Sequence, residues 1–281
     1  MENGDEVCLR ATDGTIDVAS LLTDAENFDA VVVAGGDGTV THAAYTLAYT
    51  GIPILPFPSG TANLMANNLI CPFEPPALAK LVREMRTLNF DLGEIEVNGQ
   101  RRGFGVMAGA GYDAKIMADA QPAKKRLGPI AYFSATVVNP FPQKSHITLD
   151  IDGEIIEREG LGVVLVNFSR IQFDVTVTHL NEPRDGMLDI VILKAQNAFG
   201  LIPAFIAGLL DHGDGFPSRT DSLEILRGRS VSVTADPPFE IQYDGETPPL
   251  ETPFKAHVLE HAARFIVSEE GYEKFADKSR Q

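Results

Sequence analysis

"VVVAGGDGTVTHAAYTLAYT", residues 31–50, runs from a short apolar strand into a turn with almost no side-chain bulk and then into a predicted helix. Gly35, Gly36 and Gly38 let the backbone N–H groups of that turn converge on a negative ligand with no Cβ in the way. That is the chemistry of a phosphate site. The turn is not a Walker loop, because no G-x-x-x-x-G-K-[ST] occurs in the chain. Nor is it the dinucleotide fingerprint, whose third glycine position is Thr41. Asp37 stands where a phosphate loop carries lysine. A carboxylate beside a phosphate is repelled unless a cation lies between them, so Asp37 predicts Mg²⁺ on a nucleotide, and Thr39 offers a hydroxyl at the helix entrance. The alternative is a tight strand-to-helix connection in which Asp37 is only a cap.

A second element repeats the arrangement. "PFPSGTANLMANN" (56–68) ends a strand, turns through Ser59, Gly60 and Thr61, and enters a helix. In an open parallel sheet, loops leaving the carboxyl ends of neighbouring strands border one crevice, where ligands bind.

Around these loops the first third alternates strand and helix signals. Strands are predicted at 6–12, 28–36 and 52–57, and helices at 15–25, 40–50, 61–69 and 75–87, the last opened by prolines. From about residue 92 the pattern changes. Segments such as "GEIEVNGQRRGFGVMAG", "SHITLDIDGEIIEREG" and "LEILRGRSVSVTA" alternate with period 2 and turn through Asn-Gly or Asp-Gly, as antiparallel strands do. Helical interruptions are expected at 129–137 and 199–211. The fold class is therefore an α/β N-terminal domain with a parallel sheet (1–93) plus a C-terminal antiparallel β-sandwich (94–267). A charged tail (268–281) packs back on the first domain or frays.

Composition limits the functions. A chain of 281 residues, 44% hydrophobic, buries a sizeable core. The net charge of −16 argues against nucleic acid as a partner, because counterion-driven binding needs a basic face. Lys124, Lys125 and Arg126 form one basic cluster, read as a solvated loop with phosphate or lipid headgroups as the alternative partner. The apolar run 199–210 is shorter than a bilayer span and reads first as a buried helix, second as a surface facing lipid. With no signal peptide and only Cys8 and Cys71, the expected location is the cytoplasm. His257 and His261 share a helix-like spacing but have only Glu260 as a further ligand nearby, so a metal role is disfavoured.

Read together, "GGDGTV", "PSGTAN", "DLG" (91–93), "RDGMLDI" (184–190) and "DGE" (244–246) resemble the diacylglycerol kinase catalytic family, in particular its bacterial lipid kinase branch. "GGDGT" alone is shared with NAD kinases; the downstream elements tilt the match toward lipid kinases. The resemblance implies two domains enclosing a cleft, ATP and Mg²⁺ as cofactors, a lipid substrate, and transient contact with a membrane surface. It places Gly36, Asp37, Gly38 and Thr39 on the nucleotide phosphates and their Mg²⁺, with Thr61 also on the nucleotide. Glu246 becomes the general base, and Asp185 with carbonyls near Glu182 and Met187 a second, structural Mg²⁺ site neighboured by Asp189.

Six Asp-Gly pairs occur, and "DIDGEII" spells the same tripeptide as the proposed base at Asp152, Gly153 and Glu154. Its flanks alternate like a hairpin, so 152–153 is read as a turn. The chain departs from the family in four places. It lacks an opening strand with an Asn-Pro turn, it has Thr41 and His42 where Asn-Glu is usual, and Leu64 where aspartate is usual. Glycines are also missing from "VNFSRIQFDVTVTHLNE" (166–182). Each departure removes a polar group from the nucleotide side. A kinase for a soluble acceptor, resembling NAD kinase, and a non-catalytic lipid- or nucleotide-binding protein are the alternative functions. A homodimer paired through a sandwich edge stays open.

Overall fold

The computed structural model describes residues 4–12, 16–112, 142–168, 182–194 and 222–276. The helices expected at 129–137 and 199–211, the basic cluster 124–126 and most of the glycine-poor stretch lie outside them.

The strand expected at 6–12 is not formed. Residues 6–12 run over the surface, tied down by Arg10 on Asp24 (2.7 Å) and, from a neighbouring segment, Arg83 on Asp5 (2.7 Å). The helix expected at 15–25 is two short 3₁₀ turns, Val18–Leu22 and Ala25–Asn27. No residue of the first turn is fully buried; Val18 and Leu22 only border the core. Strand β1 (Val31–Gly35) then leads into α1 (Asp37–Thr46), and β2 (Ile54–Pro58) into α2 (Leu64–Asn68). Helix α2 starts three residues later than expected because Asn63 is left-handed, φ 51°. Helix α3 (Pro75–Glu84) begins with its two prolines and ends at Met85, also left-handed.

Beyond α3 come β3 (Thr87–Val97), β4 (Gln100–Phe104), β5 (Met107–Gly111), β6 (Ser145–Ile151), β7 (Glu154–Gly160), β8 (Gly162–Val166) and β9 (Leu188–Leu193). They are followed by β10 (Leu223–Gly228), β11 (Ser230–Asp236), β12 (Ile241–Tyr243) and β13 (Phe254–Ile266). Helix α4 (Glu269–Ala276) closes the described chain. One sheet runs β10-β9-β8-β5-β12, all antiparallel. The other runs β1-β2-β13-β11-β6-β7, with β3 and β4 added on the far side of β13. The 152–153 pair is the β6–β7 hairpin turn, as read, with φ 52° and 91°.

The two halves share strands. The start of β13 pairs with β11, and its end lies parallel to β2 through Phe265 and Ile54. Along its other edge β13 follows β3 from Lys255–Glu96 to Ile266–Thr87, with an irregularity between Leu259 and Ala263. Strand β3 therefore runs unbroken through the expected boundary between residues 93 and 94. One core gathers under α1, α2 and α3, where Phe90 meets Phe168, Phe265 and Phe275 at 5.2–6.0 Å. The other fills the sandwich with Phe104, Ile147, Val163, Ile190, Val233 and Phe254. Phe275 belongs to α4, which packs on the first of these cores through the Phe90 ring.

At the open edge, Arg158 of β7 grips Glu224 of β10 with two bonds, 2.9 and 2.8 Å, and joins the two sheets. Arg158, aided by Lys194, holds the Glu224 carboxyl down to about 2. The folded value lies below the ordinary 4.5, so this contribution is present above that pH and is lost as pH falls toward 2. Glu224→Gln is expected to flatten the acid limb of stability in this window, measured by thermal melts from pH 2 to pH 6.

Candidate active site

Four backbone segments meet at the carboxyl ends of β1 and β2. The two loops touch at their glycines: a Cβ on Gly60 would lie 2.6 Å from the Gly36 Cα and 3.3 Å from the Gly35 carbonyl. Only a residue without a side chain fits there. Asn63 fixes the second loop by accepting from the Gly60 N–H (2.8 Å) and donating to its carbonyl (3.1 Å). Ser59 and Thr61 stay exposed at the mouth, and Gly36 enters α1 without a side-chain cap. Gly60→Ala is expected to force the loops apart, costing about 1–3 kcal/mol and weakening nucleotide binding, checked by melts and nucleotide titration.

The third segment is the turn after β12. Asp244 and Gly245 turn with φ 44° and 84°, and Tyr243 and Glu246 close the hairpin with bonds of 3.0 and 2.8 Å. This places exposed Glu246 directly over the first loop: a Cβ on Gly38 would lie 2.5 Å from Glu246 Oε1. Sequence positions 38 and 246 thus meet in one cleft. Glu154, the look-alike, sits on β7 at the far edge of the larger sheet.

Asp244 anchors this turn. Its carboxylate accepts from the N–H groups of Gly105 (2.6 Å), Val106 (2.8 Å) and Met107 (3.0 Å), the fourth segment. It also accepts from the Thr41 hydroxyl of α1 (2.7 Å). Burial pushes the Asp244 carboxyl above its ordinary value, against the pull of these donors. Thr41 is buried, so it supplies a bond inward from α1 to the Glu246 turn. Residue 41 was expected to cost the nucleotide side a polar group; its hydroxyl instead serves the frame beneath. His42 turns outward to Asp17, 3.3 Å away, and Leu64 is buried in the core.

Asp37 differs from the expectation in part. Its Oδ1 accepts from the Met65 N–H at 3.0 Å, so the carboxylate caps α2 rather than its own helix. Burial raises its pKa, the Met65 amide opposes the rise, and the Asp244 carboxylate adds to it. Two neighbouring carboxylates of raised pKa favour a cation beside them.

The elements placed in the second Mg²⁺ site are also together, but with a different cation. Asp185 Oδ1 accepts from the Met187 N–H at 3.0 Å, and its Oδ2 pairs with Arg227, which also donates to Asp189 at 2.8 Å. The Glu182 carbonyl accepts from the N–H groups of Arg184 (2.7 Å) and Asp185 (3.2 Å). Among the described residues no group of three or more His, Cys, Asp or Glu is placed to hold a metal. His257 and His261 lie on a strand and not a helix; the first is 3.7 Å from Glu94, and the second has its N–H on Asp91.

Sequence reasoning passed over Arg227, the Gly105–Met107 amides and Asn167. Buried Asn167 donates to the carbonyls of Asp91 (2.9 Å) and Gly105 (2.7 Å), fixing the loop that holds Asp244. The only available signal was a polar residue inside the apolar run "GVVLVNF".

Residues 1–95 match the diacylglycerol kinase catalytic domain, and residues 106–267 match the YegS C-terminal NAD kinase beta sandwich-like domain. The chain belongs to the diacylglycerol kinase catalytic family, among its bacterial YegS-like lipid kinases. Over 79% of its length it is 28% identical to a diacylglycerol kinase of Mycobacterium tuberculosis, covering 72% of that protein. An uncharacterized protein of Synechocystis is 28% identical over 83% of the chain, which spans 54% of that relative. A crystal structure of a putative diacylglycerol kinase from Bacillus anthracis shares the fold, with TM-score 0.70 and 22% identity over 90% of this chain and 83% of that one. No described helix is long and apolar enough to cross a membrane.

Proposed function

We propose that the chain is an ATP- and Mg²⁺-dependent kinase that passes a phosphoryl group to the hydroxyl of a lipid, meeting its substrate at a membrane surface. The observation that carries this reading is the packing of Glu246 on Gly38, which sets a carboxylate beside a glycine turn suited to phosphate. A glycine cradle that any Cβ would fill fits the nucleotide phosphates, and the raised pKa of Asp37 fits a cation beside it. ATP with its Mg²⁺ supplies the phosphoryl group and part of the charge neutralisation that transfer demands.

The residues of the chain do the rest. N–H groups from Gly35 to Thr39, with the exposed hydroxyls of Ser59 and Thr61, hold the phosphates on one wall of the cleft. Asp37, with Oδ1 on the Met65 amide, would hold the metal ion beside the phosphates and supply negative charge to it. Glu246 takes the proton of the acceptor hydroxyl as its oxygen bonds to phosphorus and ADP leaves. Incubation with ATP, Mg²⁺ and either short-chain diacylglycerol or NAD⁺ tests the acceptor class. Phosphorylation of the lipid alone is expected; phosphorylation of NAD⁺ alone would refute the reading.

A further inference from the structure

The family resemblance calls for a divalent cation at Asp185, yet the residues here already hold a cation of their own. Arg227 lies directly across from Asp189 in the β9–β10 ladder, and its guanidinium reaches both Asp189 and Asp185. Asp189 is buried and Asp185 is three-quarters covered, so both carboxylates need a positive partner. We propose that Arg227 is a built-in replacement for the structural metal ion, so that the turn at 182–187 is held by the protein alone.

Among the described residues, both oxygens of Asp185 already have partners, one the Met187 amide and the other Arg227. Gly186, at φ 71°, gives its N–H to Asp91 (2.7 Å), and Asp91 gives its own N–H to the Pro183 carbonyl (2.9 Å). Arg184 reaches across to the Asn89 carbonyl at 2.7 Å. Glu260, the next carboxylate beside Gly186, has Arg229 at 3.5 Å. A divalent ion at Asp185 would sit against a guanidinium and be repelled by it. A planar guanidinium bridges two carboxylates in a geometry that lysine cannot reproduce, and unlike a metal it cannot be chelated away.

The inference does not depend on the kinase reading, because its readout is stability of the full chain without nucleotide. Thermal melts are run in EDTA and in millimolar MnCl₂ for the unmodified protein, Arg227→Met and Asp185→Asn. The unmodified protein is expected to melt within about 1 °C in both buffers. Arg227→Met is expected to lose about 5–10 °C in EDTA and to regain part of it in MnCl₂, as the uncompensated carboxylates now attract the ion. A rise in Tm of the unmodified protein with MnCl₂ that Asp185→Asn abolishes would overturn the proposal, as would an Arg227→Met variant that is unimpaired or gains nothing from the ion. Should Arg227→Met fail to fold, the unmodified protein and Asp185→Asn decide alone.

Discussion

Glu246→Gln is expected to lower phosphoryl transfer by about 10²–10⁴-fold with nucleotide affinity and Tm nearly unchanged. The size follows from the role: a carboxylate that takes the acceptor proton contributes to the transfer step and little to binding. The small effect on folding follows from exposure, since the Glu246 side chain lies at the surface over the Gly38 turn. Glutamine keeps the shape and removes the basicity. Glu154→Gln is the control, because it alters the same tripeptide in a surface hairpin and is expected to leave the rate intact. Initial rates and nucleotide titrations on both variants separate the two carboxylates. A loss confined to the Glu154 variant would reverse the assignment.

The second large effect is expected at Thr41→Val, a substitution of nearly equal volume that removes one hydroxyl. Asp244 would then keep three backbone donors and lose the bond from α1 (2.7 Å). A hydrogen bond to a buried charged group contributes about 1.5–3 kcal/mol, so Tm should fall by roughly 3–8 °C. The kinetic effect is the more informative one. Thr41 joins the helix that begins in the phosphate turn to the turn that presents Glu246, so its loss should loosen the position of that carboxylate and lower kcat more than it raises KM. Thr41→Ser, which restores the hydroxyl, should recover most of the rate. A variant of normal kcat and lowered Tm would make Thr41 a folding residue only.

Much of this site was legible in the sequence because its signals are local. A β-branched strand followed by Gly-Gly-Asp-Gly-Thr predicts a strand, a tight turn and a helix wherever it occurs, and β1 and α1 follow that order. Asp152-Gly153 between alternating flanks predicts a hairpin, and it is one. What stayed hidden depends on pairing between distant residues. The sharing of β13 between the two halves joins segments some two hundred residues apart in sequence, Ile54 with Phe265, and no local pattern records it. Asp37 turned toward the Met65 amide for the same reason, since a carboxylate near an uncapped helix start is drawn to it whichever helix that is. Arg227 belongs to a strand that reads as ordinary surface alternation, and only the β9–β10 register sets it against Asp189. The helix expected at 15–25 followed apolar spacing, yet its Val18 and Leu22 only border the core and the segment forms two short 3₁₀ turns.

The glycine turn, the Glu246 hairpin and the Thr41–Asp244 bond beneath them support the proposed transfer of phosphate from ATP to a lipid alcohol. The direct measurement is incubation of the full chain with γ-labelled ATP, Mg²⁺ and mixed micelles of a bacterial lipid extract, followed by extraction into organic solvent. Label should enter the organic phase as a phosphorylated lipid, and the Glu246→Gln protein should leave it in the aqueous phase. Bound ATP with no labelled lipid from the unmodified protein would contradict the account.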